Sequence, residues 1–411
     1  MLDAYKVGAL YDGISECADE AKYVLVENGI FTGTAAWPAE KRLRKQGYSF
    51  HDLSRFFLLP GLIDAHVHIT LPGNGACAED FYARSDTSSI FRQAAENAGF
   101  ALRSGITTVR DCGAVPDIVF RLKREIETGS LSGADLLTCG SSMTVPGGHT
   151  HFFQGAADTA KETIRLIRRM REQGADFVKL IATGGGTRGV VQYAQMLSNA
   201  QLRAACEEAH KLGTYATAHV CTTATAKSAV NSGVDMMEHL IFADETNSLA
   251  FDEQLAETIA RREIPVCITM AAINVSLLEL ERPGRKLTKS EQEERDMLAR
   301  FKDTIYEGFR RTARNIRYVP GTDAGWRRSG FDSLYACMEP MAQLGYSNLE
   351  VLHAATGGAA AALRLPHKGA IAAGRQADFI ILDGNPLWDL QQIRHPRMVF
   401  KRGQNVYTRA E

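Results

Sequence analysis

The chain has 411 residues, enough for one large domain and a smaller one. Apolar residues make up 45% and charged residues 23%, which excludes a disordered or fibrous protein. With 47 Lys+Arg against 48 Asp+Glu the net charge is -1, so no global field draws it to nucleic acid or to an anionic membrane. The eight cysteines are scattered without a CxxC pair, and in a chain this large they read as free thiols of a reducing compartment. The opening Met1-Leu-Asp-Ala-Tyr-Lys-Val-Gly has no basic segment followed by an apolar run, and no later stretch reaches the ~18 apolar residues of a spanning helix. A cytoplasmic protein is expected.

Along the chain, short β-like runs such as Tyr23-Val-Leu-Val-Glu-Asn-Gly-Ile fill residues 1–60, and the same texture returns in Gly369-Ala-Ile-Ala-Ala-Gly-Arg-Gln-Ala-Asp-Phe-Ile-Ile-Leu-Asp. Between them, short apolar runs alternate with longer stretches of helical period, the pattern of parallel β/α units. Eight candidate strands can be counted. They begin with Leu58 to His68, Thr107 to Cys112, Asp135 to Cys139 and Phe177 to Ala182. Tyr215 to Val220, Asp235 to Leu240, Pro265 to Met270 and Tyr318 to Asp323 follow. The prediction is an α/β fold: a (β/α)8 barrel over residues 61–364, with a small β-sandwich built from 1–60 and 365–411. Leu280 to Arg295 is dense in charge and lacks an apolar face before Met297, so it reads as a solvated loop or lid hinge.

In such a barrel, active residues sit at the C-terminal ends of the strands. His66, His68, Lys179, His219, His239 and Asp323 all fall there. His66 and His68 are two apart on one strand and point to the same side, so both can converge on one ion while Val67 faces away. Imidazole and carboxylate are the ligands that Zn2+ and related ions take. Lys179 lies inside the apolar run Phe177-Val-Lys-Leu-Ile, where an ammonium is costly. It is either one half of a buried ion pair or a neutral amine that reacts with carbon dioxide to give a metal-bridging carbamate.

The segment Pro60-Gly-Leu-Ile-Asp-Ala-His-Val-His, the lysine of Val178-Lys-Leu, and the later Ala218-His, Glu238-His and Gly321-Thr-Asp-Ala resemble the amidohydrolase superfamily over nearly the whole chain. Gly147-Gly-His, Glu208-Ala-His-Lys and Gly321-Thr-Asp-Ala-Gly are similar to its prolidase-like group of dipeptidases and carboxypeptidases, which also holds ochratoxin- and phenylurea-hydrolysing members. The resemblance implies two divalent metals, Zn2+ first and Mn2+, Co2+ or Fe2+ as alternatives. His66, His68 and Asp323 would hold the more buried ion, His219 and His239 the more exposed one, and N6-carboxylated Lys179 both. It also implies a metal-bridging hydroxide as nucleophile and Asp323 as proton shuttle.

Around these, His149 and His151 in Pro146-Gly-Gly-His-Thr-His follow the third strand, with His149 placed to donate to the acyl oxygen. Gly184-Gly-Gly-Thr-Arg188 lacks phosphate-loop spacing and reads as a mobile active-site loop. Arg188, Tyr193, Arg327 and Arg328 are candidates to grip a substrate carboxylate. Trp326-Arg-Arg-Ser-Gly-Phe departs from the prolidase-like pattern. His353, on an Ala-rich helix, reads as a packing residue.

The expected reaction is hydrolysis of an amide-type bond in a dipeptide or N-acyl amino acid. Xenobiotic amides, ureas, carbamates and esters come next. A mononuclear deaminase or an imidazolonepropionase-like ring hydrolase needs no Lys179, and His219-Val-Cys-Thr222 lacks the glutamate that deaminases place three residues after this histidine. An inactive scaffold would be expected to have lost ligands. A small-molecule substrate and a homo-oligomer complete the expectation, with no nucleic-acid or membrane partner.

Overall fold

All eight runs form strands in the computed structural model, which describes residues 1–410. Four strands precede them: β1 (Leu2–Leu10), β2 (Asp19–Glu27), β3 (Ile30–Ala36) and β4 (Ser49–Pro60). The eight are β5 (Leu62–Val67), β6 (Ile106–Asp111), β7 (Asp135–Thr138), β8 (Val178–Ile181), β9 (Ala216–Thr222), β10 (Met236–Ala243), β11 (Val266–Ile268) and β12 (Tyr318–Pro320). The chain ends with β13 (Phe379–Leu382), β14 (Met398–Lys401) and β15 (Gln404–Thr408). Every residue of β5 through β9 is buried, as strands covered on both faces require.

β5-β6-β7 and β12-β11-β10-β9-β8 are two parallel sheets. Parallel bridges Met143↔Leu180 and Val67↔Ala324 link them at both seams. Helices alternate with these strands, several of them opened by a side-chain cap. In Ala160–Gln173 the Thr159 hydroxyl accepts from the Glu162 N–H, Gly174 at φ 109° ends the helix, and Thr163, Ile167 and Met170 form the buried stripe.

The remaining strands form one seven-stranded sheet, ordered β15-β14-β13-β4-β1-β2-β3, so both ends of the chain share it. Tyr5, Val24, Phe31, Phe379 and Phe400 pack in its core. β4 runs on through Gly61 into β5, and a Cβ at Gly61 would lie 2.1 Å from Thr107 Oγ1, so only glycine permits this join.

A buried ion cluster fastens the terminal sheet to β7. Asp135 accepts from Lys368 at 2.5 Å and Lys401 at 2.6 Å, and Lys368 also reaches Asp378 at 2.8 Å. Burial alone would raise the Asp135 carboxyl, but the two lysines outweigh it and hold it well below the usual range. A depressed carboxyl adds stability that is fully present above its unfolded value of about 3.9 and is lost as pH falls below it. Asp135→Asn should therefore cost about 3–5 kcal/mol near pH 7, because it leaves buried ammonium groups unpaired. Urea unfolding at several pH values checks this: the gap between the two proteins should shrink below pH 4, and a pH-independent gap would remove the ion cluster as its cause.

The charge-dense stretch departs from the solvated loop expected of it. From Lys289 it becomes a 24-residue helix, Lys289–Thr312, opened by a capping box between Thr288 and Glu291. Its sparse apolar stripe, with Leu298, Ile305 and Phe309 buried, begins only after the charged first turns. His353 behaves as the packing residue expected, with its Nδ1 3.0 Å from the Gly13 carbonyl.

Candidate active site and metal centre

His66 lies near the end of β5, His68 just beyond it, Lys179 on β8, His219 on β9, His239 on β10 and Asp323 just past β12. All six line one pocket, together with His149, Trp326 and Arg327. Their convergence depends on close backbone approach: a Cβ on Gly321 would lie 2.4 Å from Cys267 Sγ and 2.7 Å from the His66 Cβ. His239 and Asp323 are held at φ 73° and 55°, a left-handed conformation that costs a non-glycine residue about 1–3 kcal/mol.

Each of the four strand-end imidazoles has one ring nitrogen engaged by a neighbour. His66 Nδ1 is 2.9 Å from Glu238, His68 Nδ1 3.0 Å from the Gly113 carbonyl, and His239 Nδ1 2.6 Å from Thr269 Oγ1. His219 uses Nε2, 3.3 Å from Cys221 Sγ. The second nitrogen of each is thereby left to ligate, and for His66 and His68 the acceptor at Nδ1, a carboxylate and a carbonyl, places the proton there and leaves Nε2 free. His66 Nε2 and His68 Nε2 face the same Asp323 oxygen at 3.5 and 3.4 Å. Ligand atoms of His66, His239 and Asp323 lie within 4.8 Å of one another, close enough to share an ion.

Burial, with Lys179 as a further cause, lowers His68 to about 4 and His239 to about 3 and puts His66 well below its ordinary value. His219 and His149 are likewise driven well below by burial and by neighbouring imidazoles. All five are neutral at pH 7, the form that binds metal. Burial raises the Asp323 carboxyl to about 6, against the pull of Lys179 and Arg327.

Lys179 is 1% exposed. Its amine makes no hydrogen bond or ion pair among the described residues, so it is not half of a buried salt bridge. A buried ammonium without a hydrogen-bonded partner is costly, and the neutral amine, or the carbamate it would form with carbon dioxide, removes that charge. The donor set therefore fits divalent metal: neutral imidazoles with one nitrogen free, a carboxylate facing two of them, and an uncommitted amine.

The sequence reading missed the layer beneath. Glu238, fully buried, joins His66 to Arg110 at 2.6 Å and also accepts from the Thr217 hydroxyl. Burial would raise its carboxyl, but Arg110 and Lys179 hold it ionised, well below the ordinary range. Arg110 in Thr107-Thr-Val-Arg looks like an outward-facing strand residue, yet it is 0% exposed and its Nε donates to the Ala65 carbonyl. In sequence, the place of Glu238 directly before His239 is the one signal that marks it.

Of the outer candidates, His149 lies in the pocket with Nδ1 2.7 Å from Thr187 Oγ1, and its Nε2 leaves room only for glycine at position 185. Arg327 lines the pocket as well. His151, Arg188, Tyr193 and Arg328 are not among its lining residues. His151 bonds the Gly148 carbonyl, and Arg188 is an exposed partner of Asp80, tying the glycine loop to the helix Ala78–Arg84. Tyr193 is buried and Arg328 pairs with Glu294. The helix Lys289–Thr312 contributes Leu298 and Phe301 to the wall, and Ile181, Ile241, Ala272 and Ile273 make the rest of it apolar.

The amidohydrolase family model matches residues 57–406. Ochratoxinase of Aspergillus niger is 25% identical to the chain over 429 residues, covering 95% of this chain and 83% of that protein. Among solved structures, an Xaa-Pro dipeptidase with methionine bound in its active site matches with a TM-score of 0.85 at 21% identity, covering 99% of this chain and 100% of the other. Phenylurea hydrolase B matches with a TM-score of 0.81 at 20% identity, over 99% and 97% of the two chains. The chain shares its fold with both. Among the described residues no helix is long and apolar enough to cross a membrane.

Proposed function

Because the chain belongs to the amidohydrolase family and is a hydrolytic enzyme acting on carbon–nitrogen bonds, we propose that its pocket holds two divalent metal ions and cleaves the amide bond of a dipeptide or an N-acyl amino acid. The observation that carries this reading is Lys179, buried and unpaired among four neutral histidines and a carboxylate. In this reading β5 through β12 close a (β/α)8 barrel over residues 61–364, supported by the parallel bridges at both seams. Residues 1–60 and 365–411 supply the smaller β domain.

His66, His68 and Asp323 would hold one ion, His219 and His239 the other, and carboxylated Lys179 both, with Zn2+ as the first choice. When bound, the ions supply a water acidic enough to attack near neutral pH and an electrophile for the acyl oxygen. Asp323 takes the proton of the attacking water and returns it to the departing nitrogen. His149, oriented by Thr187, donates from Nε2 to the developing oxyanion. Glu238 and Arg110 fix the ring of His66, and Arg327 takes the carboxylate of the substrate. Trp326 and the apolar wall keep bulk water from the reacting bond.

The apolar wall together with the ochratoxinase and phenylurea hydrolase relatives favours a second reading, a bulky xenobiotic amide or urea. The eight unpaired cysteines support a cytoplasmic setting, and a homo-oligomer belongs to the same proposal. Purified Zn- or Mn-loaded protein should hydrolyse members of a panel of dipeptides and N-acyl amino acids, and chelation should abolish the activity. Turnover confined to neutral amides and ureas would favour the second reading, and turnover indifferent to chelation would overturn both.

A further inference from the structure

On the helix Lys289–Thr312, Glu294, Leu298 and Phe301 stand at spacings of four and three, on one face of the helix. Leu298 and Phe301 are wall. Glu294 instead meets the loop after β12, where it is shared unequally by two arginines. Both of its oxygens lie 2.9 Å from one Arg328 nitrogen, whereas Arg327 reaches a single oxygen at 3.2 Å. Only Arg327 of the two lines the pocket.

We propose that Glu294 is a built-in competitor for the substrate's carboxylate and so sets the selectivity of the pocket for anionic substrates. This rests on the reading of Arg327 as the carboxylate receptor. Arg327 is held by the weaker and longer of the two contacts, so an incoming carboxylate takes its guanidinium while Glu294 stays paired with Arg328. No charge is left without a partner during the exchange. The same helix brings apolar wall to the side chain beside that carboxylate, so the favoured substrate carries a bulky apolar residue next to its free carboxyl group. A substrate without a carboxylate gains nothing by displacing Glu294.

Calorimetric binding of L-leucine and of L-leucinol, which lacks the carboxylate, to the metal-loaded protein tests this. The wild type should prefer leucine. Glu294→Gln should tighten leucine by about three- to tenfold, the scale of a partly exposed ion pair, and leave leucinol unchanged. Arg327→Met should bring leucine down to the level of leucinol. If Arg327→Met does so while Glu294→Gln leaves leucine unchanged, the competitor is refuted and the carboxylate receptor stands. If Glu294→Gln weakens both probes, Glu294 receives the ammonium group and the proposal is overturned. Equal binding of the two probes by the wild type would remove the receptor itself, and the proposal with it.

Discussion

Asp323→Asn is expected to lower kcat by about 10²- to 10⁴-fold, the range that a positioned acid–base group contributes. The amide keeps the shape of the carboxylate, and His66, His68 and Lys179 are untouched, so at least one metal should remain per chain. Asparagine accepts no proton from the attacking water and has none to return to the leaving nitrogen. The loss should thus appear in kcat, with KM little changed, because Arg327 and the apolar wall still bind substrate. Metal analysis beside steady-state kinetics checks both halves. Near-normal turnover would remove Asp323 as the shuttle, and a complete loss of metal would make it a ligand first. Its left-handed backbone at φ 55° is tolerated by asparagine, so the substitution adds little strain of its own.

Lys179→Ala should cost activity at least as heavily, roughly 10²-fold or more, by removing the group proposed to join the two ions. The pocket is otherwise intact, since the amine makes no hydrogen bond that its removal would orphan. The variant should hold fewer metal ions than the wild type. Short carboxylic acids should restore part of the activity by filling the space of the carbamate. Retention of two ions per chain in the variant would reject the carbamate bridge. The variant leaves the ion pair beneath the site in place, unlike Glu238→Gln, which would strip Arg110 of its buried counter-ion.

The strands were legible because parallel strands buried on both faces are continuous apolar runs, and a histidine, lysine or aspartate at the end of such a run stands out. His66, His68, Lys179, His219, His239 and Asp323 were found in this way. Arg110 was not, because a strand arginine is indistinguishable in sequence from a solvent-facing one until the partner it meets, 128 residues away at Glu238, is known. The partners that fix the rings were hidden for a related reason: a backbone carbonyl at Gly113 and the side chains of Thr269 and Cys221 carry no mark of their role. The helix from Lys289 shows the opposite case. Its capping box, Thr288 to Glu291, is a local signal, and the density of charge concealed a stripe that begins late. Among the arginines, sequence placed 188, 327 and 328 alike; their partners, Asp80 for Arg188 and Glu294 for Arg327 and Arg328, come from distant segments, and only in the fold does Arg327 alone line the pocket.

These residues are proposed to form a two-metal centre joined through Lys179. Metal content per chain, measured by mass spectrometry on protein purified without chelators and reloaded with Zn2+, tests it most directly. Two ions per wild-type chain, falling to one or none in Lys179→Ala, is the predicted result. A wild-type protein that binds no Zn2+, or that holds a single ion unaffected by loss of Lys179, would contradict it.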